Sequence, residues 1–358
     1  MSYQHDELLY WLVLVQCPRF NVKQLVYLSQ VLPDPLMLFN LKAKELSYYK
    51  ISPQQQAFFQ QIDWQAQQQE LDWLNQNEVK VIPFTSNQYP DLLKTTANPP
   101  LVLFVKGDVS VLDQVQIGIV GTRSPSHYGV RMAEQLSSDL ANSNVVVTSG
   151  MAIGIDGIAH KACLNAGGKT IAVLGSGFRH VYPKRHLTLF DQIAEQGAVI
   201  SEFMPYIPPI NYNFPRRNRI IAGLSNGTLV VEAAIKSGSL ITAKFALEEG
   251  RDVFAVPGNA LNPLSEGSHY LLQQGAKLVT KIDDIIEEYI DLNHSSVTTE
   301  KNNLAAPKLL DNVDYDTTPV DVIVQRSKLP VEQVLTELLD LEVQGLVATV
   351  MGGYVRTD

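Results

Sequence analysis

The spacing of apolar residues changes once along the chain. Over residues 6–75 apolar side chains recur at every third or fourth position, which predicts amphipathic helices in DELLYWLVLVQ, VKQLVYLSQVL and PQQQAFFQQIDWQAQQQELDWLNQ. Short breaks that contain proline separate these stretches. From about residue 79 onward, short apolar runs alternate with amphipathic stretches. The chain is therefore predicted to begin with helices and to continue as alternating strands and helices.

The apolar runs beyond residue 79 have the character of buried parallel strands. Each is apolar nearly throughout, as expected for strands covered on both faces. The candidate strands are residues 115–121, 144–150, 169–175, 197–202, 227–233, 252–258 and 276–280. Several of the helices between them end in a glycine directly before the next strand, a recurrent helix-to-strand connection. This alternation predicts an α/β fold with an extended Rossmann-like, doubly wound parallel sheet.

The end of the chain has a different composition. Residues 291–308 are polar and predict a flexible linker. Residues 309–358 read as three helices and a hairpin that turns at residues 351–353, which predicts a winged helix. We therefore expect a helical domain at 1–78, a Rossmann-like core at 79–290, the linker and a winged-helix domain at 309–358.

The formal net charge of −9 argues against a nucleic-acid partner. The distribution of charged residues along the chain changes that conclusion. Residues 1–79 carry 5 basic and 8 acidic side chains, residues 80–290 carry 18 of each, and residues 291–358 carry 5 against 11. Within the neutral middle, residues 169–219 hold seven basic and three acidic side chains. Because a phosphate responds to the local field and not to the net charge, a cationic site in the core is compatible with an acidic chain.

Other signals indicate which function classes to exclude. Cys17 and Cys163 lie far apart and fit no metal-ligand spacing, so we expect no metal. No signal peptide precedes them, which predicts reduced thiols and a cytoplasmic protein. No apolar run approaches the roughly 20 residues of a membrane span, so we expect no membrane contact. Neither a clean G-x-G-x-x-G nor a Walker lysine motif is present, so we expect no cofactor.

Small and basic residues follow the predicted parallel strands, at the edge where open sheets bind ligands. The segments are GTRSPSHYG (121–129), SGMAIGIDGIAH (149–160), GSGFRHVYPKRH (175–186) and FPRRNR (214–219). Exposed backbone N–H groups and guanidinium groups there suit phosphate oxygens. A tight turn explains any single glycine equally well. For the arginines the alternative is internal pairing, for instance with Asp156 or Glu232, which we expect for at least one of them.

Two arrangements could carry catalysis. Asp156, His160 and Cys163 share a helical face, but a helix cap and a core cysteine explain the set better. The segment SNGTLVVEA (225–233) resembles the glycine-threonine-glutamate motif of nucleotide phosphoribohydrolases, with Glu232 as candidate base. Its spacing is one residue longer than that motif allows. We favour a binding protein without catalytic residues, and a hydrolase that uses Glu232 is the alternative.

A third hypothesis is a transcription factor that reads duplex DNA with residues 319–358. A helix that reads base edges carries Lys, Arg, Asn or Gln toward the groove. The last predicted helix instead carries Glu332, Glu337, Asp340 and Glu342. Groove reading is therefore disfavoured, and a protein contact or structural packing fits the tail better.

Taken in order, the segments quoted above, together with VVEAAIKSGSLITA and GRDVFAVPGN, resemble the DNA-processing protein A family (DprA, also called Smf). The resemblance implies a core that binds single-stranded DNA without reading sequence and without catalysis. It also implies loading of the RecA recombinase onto incoming DNA during natural transformation, and a homodimer through the Rossmann core. The N-terminal domain resembles a sterile-alpha-motif or helix-hairpin-helix unit, yet CPRF (17–20) and YKIS (49–52) lack the glycines with which such hairpins approach phosphate.

The crevice and the resemblance together predict a set of DNA contacts. They are Gly121, Thr122, Arg123, Ser149, Gly150, Lys169, Ser176, Gly177, Phe178, Lys184, Arg216, Arg217, Asn218, Arg219 and Ser239. We expect Phe178 or Tyr182 to stack on bases. Residues 265–276 are the candidate dimer surface.

Overall fold

The structure is a computed structural model that describes residues 6–289 and 309–357. The predicted linker at 291–308 lies outside the described residues. The helices that precede the sheet are α1 (Glu7–Gln16), α2 (Val22–Val31), α3 (Ala43–Leu46), α4 (Pro53–Gln60) and α5 (Trp64–Gln76). The stretch predicted from its periodicity over 53–76 is thus two helices. Asp63 begins the second one, because its carboxylate accepts a hydrogen bond of 2.9 Å from the N–H of Ala66.

A mixed sheet forms the centre of the molecule. Its strands are β1 (Val79–Pro83), β2 (Val102–Gly107), β3 (Gln116–Val120), β4 (Val146–Ser149), β5 (Thr170–Val173), β6 (Ala198–Ser201), β7 (Gly227–Val230), β8 (Asp252–Ala255) and β9 (Lys277–Leu278). Their order is β1-β2-β6-β5-β4-β3-β7-β8-β9, with β3 to β9 parallel and β1 and β2 joined in antiparallel pairs. The predicted α/β fold is confirmed. The strands β1 and β2 were missed, because no helix-glycine-strand pattern marks antiparallel neighbours.

Helices cover both faces of this sheet. They are α6 (Asp91–Lys94), α7 (His127–Asn142), α8 (Ile155–Asn165), α9 (Leu187–Gln196), α10 (Asn213–Leu224), α11 (Gly238–Glu248), α12 (Glu266–Gln273) and α13 (Asp283–Ile286). Strands β3 to β6 run outward in one direction and β7 to β9 in the other. The order therefore reverses between β3 and β7, and a crevice opens beyond the carboxyl ends of these two strands.

The N-terminal helices share a hydrophobic core with the sheet. Leu12, Leu28 and Leu74 belong to the same buried cluster as Leu174 and Val199, which lie at β5 and β6. Because the apolar packing is continuous, the two parts of the chain hold a defined arrangement. A pocket between them is therefore a feature of the fold. None of the described helices has the length and apolar character needed to cross a membrane.

The C-terminal part is a winged helix, as predicted. It contains α14 (Val320–Ser327), α15 (Val331–Val343), β10 (Val347–Val350) and β11 (Gly353–Arg356), and the first predicted helix is a short 3-10 turn, Leu310–Asn312. It contacts the core at α7. There the guanidinium of Arg131 donates a 3.0 Å hydrogen bond to the carbonyl of Arg356 and lies 4.6 Å from the centre of the Tyr315 ring.

A buried arginine joins α10 to the strand ends. Arg217 is 4% exposed, and one of its terminal nitrogens donates to the carbonyls of Gly150, at 2.6 Å, and of Val173. These carbonyls lie at the ends of β4 and β5. Burial lowers the pKa of Arg217 to about 10, and the negative charge of the nearby buried Asp156 opposes this shift. The expectation that this arginine faces the crevice as a DNA contact is corrected, because its donors are directed at the sheet.

The replacement Arg217→Met should destabilise the fold. It removes a positive charge that favours the buried Asp156 carboxylate, and it removes a donor from two carbonyls, which costs about 3 kcal/mol. The free energy of unfolding, measured by urea denaturation followed by circular dichroism, should fall by that amount. The matched control is Arg185→Met, since that side chain is exposed and makes no ion pair with another described residue. Equal stability of the two variants would contradict the structural role of Arg217.

Candidate nucleic-acid interface

Two cavities lie on either side of the first turn of α10. The first, which we call the switch-point pocket, has a volume of about 470 Å³ and lies beyond the ends of β3 and β7. The second, the interdomain pocket, has a volume of about 590 Å³ and lies between α10 and the N-terminal helices. Pro215 lines both of them. Both volumes fall in the range of about 300–1,000 Å³ that is usual for ligand sites.

The switch-point pocket collects residues that the sequence analysis singled out. The predicted contacts that line it are Gly121, Thr122, Arg123, Arg217, Asn218 and Ser239. Arg123 and Lys236 are exposed there, and neither forms a hydrogen bond or ion pair with another residue among 6–289 and 309–357. Lys236 was not predicted, although it stands directly before the SGS segment that begins α11. Two cationic groups are thus available to a ligand at this edge.

Backbone contacts hold the rim of this pocket in place. The hydroxyl of Ser239, in the first turn of α11, donates a 2.8 Å hydrogen bond to the carbonyl of Gly121 and so joins the loops after β3 and β7. Gly154 has a φ of +84°, and a Cβ atom there would overlap the carbonyl of Thr122. The loops after β3 and β4 can therefore meet only at a glycine. The α11 N-terminus adds the positive end of a helix dipole to the same pocket.

Asp156 is the acidic side chain among the residues that line this pocket. Its carboxylate accepts hydrogen bonds from the N–H groups of Gly150, at 3.1 Å, and Ala152, at 3.4 Å. Burial raises its pKa, and the positive charges of Arg217 and Arg123 oppose that shift. The N-cap position of α8 belongs to Gly154, so Asp156 orders the preceding loop and is not the helix cap that we expected. The carboxylate thus contacts buried N–H groups, and the exposed charges of the pocket are those of Arg123 and Lys236.

The arginines of FPRRNR separate onto two sides of α10. We expected them at a loop before the helix, but α10 begins at Asn213 and contains all of them. Successive residues of a helix differ in direction by about 100°, so Arg216 and Arg219 share one face and Arg217 another. Arg216 and Arg219 each donate to Oε2 of Glu202, at 2.7 and 2.5 Å. The expected internal pairing exists, with Glu202 as the partner of these two arginines and Asp156 as the nearby negative charge of Arg217. Glu232 instead accepts hydrogen bonds from Ser126.

Several predicted contacts are buried instead of presented to the crevice. Ser149 donates to the carbonyl of Ile119 at 2.6 Å, and Ser176 donates to the carbonyl of His180 at 2.7 Å. The first hydrogen bond joins the end of β4 to β3, and the second lies within the turn after β5. Gly150 and Gly177 are likewise buried, the first against Arg217 and the second against the backbone at residues 204–205. These four residues shape the edge of the sheet and do not line its surface.

The expected stacking residue Phe178 is also buried. It is 7% exposed, and its ring packs edge-on against Phe190 with centroids 6.1 Å apart. The exposed aromatic residue of this loop is Tyr182, which is 48% exposed and lies 5.7 Å from the ring of Phe214. Tyr212 is 74% exposed and was missed. Its position two residues before FPRRNR was the available signal.

Two predicted lysines lie apart from both pockets. Lys169 precedes β5, so it lies at the amino edge of the parallel sheet, opposite to the crevice. It forms an ion pair of 3.1 Å with Asp108 there. The expectation that it faces the crevice is therefore wrong. Lys184 is exposed in the short turn before α9 and makes no ion pair with another described residue.

Glu232, the candidate catalytic base, is buried and fully engaged. It is 2% exposed, and the hydroxyl and N–H of Ser126 donate to its two carboxylate oxygens at 2.5 and 2.9 Å. Ser126 is the N-cap of α7. The carboxylate therefore stabilises the start of a helix. Within the described ranges, no group of three His, Cys, Asp or Glu residues is placed to hold a metal ion.

The sequence matches two described families over most of its length. Residues 80–290 match the family described as DNA recombination-mediator protein A, and residues 296–353 match the DprA winged helix domain. The chain is 48% identical over 297 residues to Protein Smf of Escherichia coli (strain K12), a match that covers 80% of this chain and 79% of that protein. It is 47% identical over 216 residues to the DNA processing protein DprA of Bacillus subtilis (strain 168), covering 60% and 73%.

Solved structures agree with these matches. The X-ray structure of DprA from Streptococcus pneumoniae superposes with a TM-score of 0.69 at 34% identity and covers 80% of this chain and 99% of that one. A Helicobacter pylori structure, described as showing the single-stranded DNA binding mode of DNA processing protein A, has a TM-score of 0.55 at 28% identity and covers 61% and 98%. The family match over residues 80–290 and the 48% identity to Smf establish that this chain belongs to the DprA (Smf) family of DNA-processing proteins.

Proposed function

We propose that this protein binds single-stranded DNA in the switch-point pocket, without reading its sequence. The observation that carries the proposal is that Arg123 and Lys236 are exposed and have no ion-pair partner among the described residues, beside the N-terminus of α11. Unpaired cations at a helix N-terminus attract phosphate oxygens, and arginine binds them through two parallel N–H groups. The free charges of the pocket act on phosphate oxygens, which every nucleotide carries, so the binding that we propose does not depend on the sequence of the strand.

Aromatic side chains that could stack on bases lie beside the pocket. Binding of single strands without sequence preference combines a cationic groove with rings on which bases stack. Tyr182 and Phe214 lie together here, and Phe214 lines the pocket. The single-stranded DNA binding described for the Helicobacter pylori relative supports the same function for this chain.

The wider role that we propose follows the family. It is the loading of RecA recombinase onto incoming DNA during natural transformation, by a cytoplasmic homodimer that associates through the core. The edge strand β9 is the place in the core that suits such an association. Leu278 of β9 is 49% exposed, and Leu247 of α11, which lies beside that edge, is 57% exposed. Exposed apolar side chains at a sheet edge favour pairing between chains.

We further propose that the binding is non-catalytic. The hydrolase alternative needs Glu232 as a free base, and both of its oxygens accept hydrogen bonds from Ser126. The duplex-reading alternative needs polar donors on α15. That helix instead exposes Val331, Leu335 and Leu339 between its acidic residues, a face that suits neither a base edge nor a phosphate.

The double variant Arg123→Ala, Lys236→Ala should weaken binding to a single-stranded oligonucleotide by about tenfold or more, because it removes two phosphate contacts. The slope of log affinity against log salt concentration should become less steep by about 1.4, at about 0.7 for each contact. Fluorescence anisotropy at several salt concentrations measures both quantities. The matched control is Lys169→Ala, since that lysine lies at the opposite edge of the sheet. An equal loss of affinity in the control would overturn the assignment of the pocket.

The variant Glu232→Gln tests the catalytic alternative. The amide of Gln can still accept a hydrogen bond from the N–H of Ser126, but it lacks the negative charge that strengthens both hydrogen bonds, so the free energy of unfolding should fall by about 1–2 kcal/mol. Affinity for single-stranded DNA should change little. Neither the unmodified protein nor the variant should release base from nucleoside 5′-monophosphates, as followed by chromatography. Base release that the unmodified protein shows and the variant lacks would establish the hydrolase.

The RecA part of the proposal has a separate test. Adding this protein should shorten the lag before RecA hydrolyses ATP on single-stranded DNA that is already coated by a single-strand-binding protein. The Arg123→Ala, Lys236→Ala variant should not shorten the lag, because loading requires that the DNA be held. An unchanged lag with the unmodified protein would contradict RecA loading and leave DNA binding intact.

A further inference from the structure

The interdomain pocket has no role in the function proposed above, and its walls come from separate parts of the chain. The N-terminal domain contributes Arg19 and Phe20, from the turn between α1 and α2, and the core contributes Glu202 and one face of α10. Its volume of about 590 Å³ exceeds that of the switch-point pocket, about 470 Å³. The shared hydrophobic core of the two domains keeps these walls together.

The charge in this pocket is positive. Arg19, Arg216 and Arg219 line it together with one carboxylate, that of Glu202, so three positive charges face one negative charge and two remain unbalanced. Arg19 is exposed and forms no ion pair with another described residue. The Arg216 side chain is 47% exposed although it contacts Glu202. Guanidinium N–H groups are therefore left for an anionic ligand.

Glu202 holds the two α10 arginines in position. It is 5% exposed, and its Oε2 accepts from both guanidinium groups, while its Oε1 is buried without a hydrogen-bond partner among the described atoms. The guanidinium of Arg219 also donates to the carbonyl of Asn98 at 2.8 Å, which limits its motion. Side chains oriented in this way lose little conformational freedom when a phosphate binds.

The remaining lining suits the base and sugar of a nucleotide. Tyr212 also lines the pocket and is 74% exposed, so its ring is accessible to a stacked base. Phe20, Pro100 and Phe245 add apolar surface beside it. Cationic groups together with an accessible ring match a phosphodiester that carries a base.

The two pockets meet at Pro215, which lines both. On one side of it Phe214 and Arg217 belong to the switch-point pocket, and on the other Arg216 and Arg219 belong to the interdomain pocket. We propose that single-stranded DNA held in the switch-point pocket continues over Pro215 into the interdomain pocket, where Arg19 contacts a phosphate. This inference rests on the DNA binding proposed above and extends it to the N-terminal domain.

The absence of hairpin glycines in the N-terminal domain does not oppose this inference. Glycines serve a hairpin that approaches phosphate with its backbone. Here the contact is made by a side chain, Arg19, from the CPRF segment itself. The backbone of Arg19 has a φ of +57°, a left-handed conformation in the turn that connects α1 to α2. The domain thus binds DNA only together with the core, because the other two arginines belong to α10.

The test compares oligonucleotides of increasing length on the full chain. In the unmodified protein affinity should rise with length until both pockets are filled. Arg19→Ala should leave the affinity for the shortest bound oligonucleotides unchanged and remove about fivefold for the long ones, with a salt slope less steep by about 0.7. The matched control is Lys23→Ala, an exposed lysine of the same domain that does not line this pocket. Long-oligonucleotide affinities that are equal in Arg19→Ala and Lys23→Ala would overturn the inference.

A second measurement locates the strand directly. Long oligonucleotides that carry 5-iododeoxyuridine at successive positions should photocrosslink to Tyr212, as identified by mass spectrometry, and short ones should not. Absence of that crosslink in the long oligonucleotides would overturn the inference. Competition by thymidine 5′-monophosphate that removes only the Arg19-dependent part of the affinity would also overturn it, since the pocket would then be a separate nucleotide site. Failure of the Arg123→Ala, Lys236→Ala variant to weaken any binding would instead overturn the proposed function.

Discussion

The buried guanidinium of Arg217 is the contact on which the candidate interface depends. It donates to carbonyls at the ends of β4 and β5 and lies near the buried Asp156, which in turn orders the loop after β4. A charged group with so little exposure is stable only because these acceptors and this carboxylate compensate for its lost hydration. The contact holds α10 against the sheet edge, and the two cavities beside α10 exist because the helix is held there.

The three arginines in the first two turns of α10 therefore have different roles. Arg217 faces the sheet and is structural, while Arg216 and Arg219 face the N-terminal domain and leave positive charge in the interdomain pocket. The switch-point pocket on the other side takes its free cations from Arg123 and Lys236, which lie in loops. A strand that engages both pockets would cross the helix at Pro215, so the two proposals concern adjoining parts of one surface.

Part of this site could be predicted from the chain. Arg123 follows a buried strand directly, and a residue in that position reaches the carboxyl edge of a parallel sheet whatever the details of the fold. By the same rule Lys169, which precedes its strand, belongs at the opposite edge, so the sequence itself argues against it as a crevice contact. Phe178 could not be placed in this way, because its burial depends on packing against α9. Tyr212 and Lys236 stand beside FPRRNR and SGS in the chain, but only the structure shows which pocket each of them lines.

The sequence by itself determined the fold class and the edge where ligands bind, because apolar runs, glycines after helices and polar segments after strands are local patterns that any parallel sheet must obey. Only the tertiary structure decided which cations remain free. The partner of Arg216 and Arg219 is a carboxylate more than a dozen residues earlier, and the acceptors of Arg217 lie on two different strands. Whether a charge is neutralised depends on groups that are distant in the chain but close in space, and a local sequence pattern does not show which groups these are.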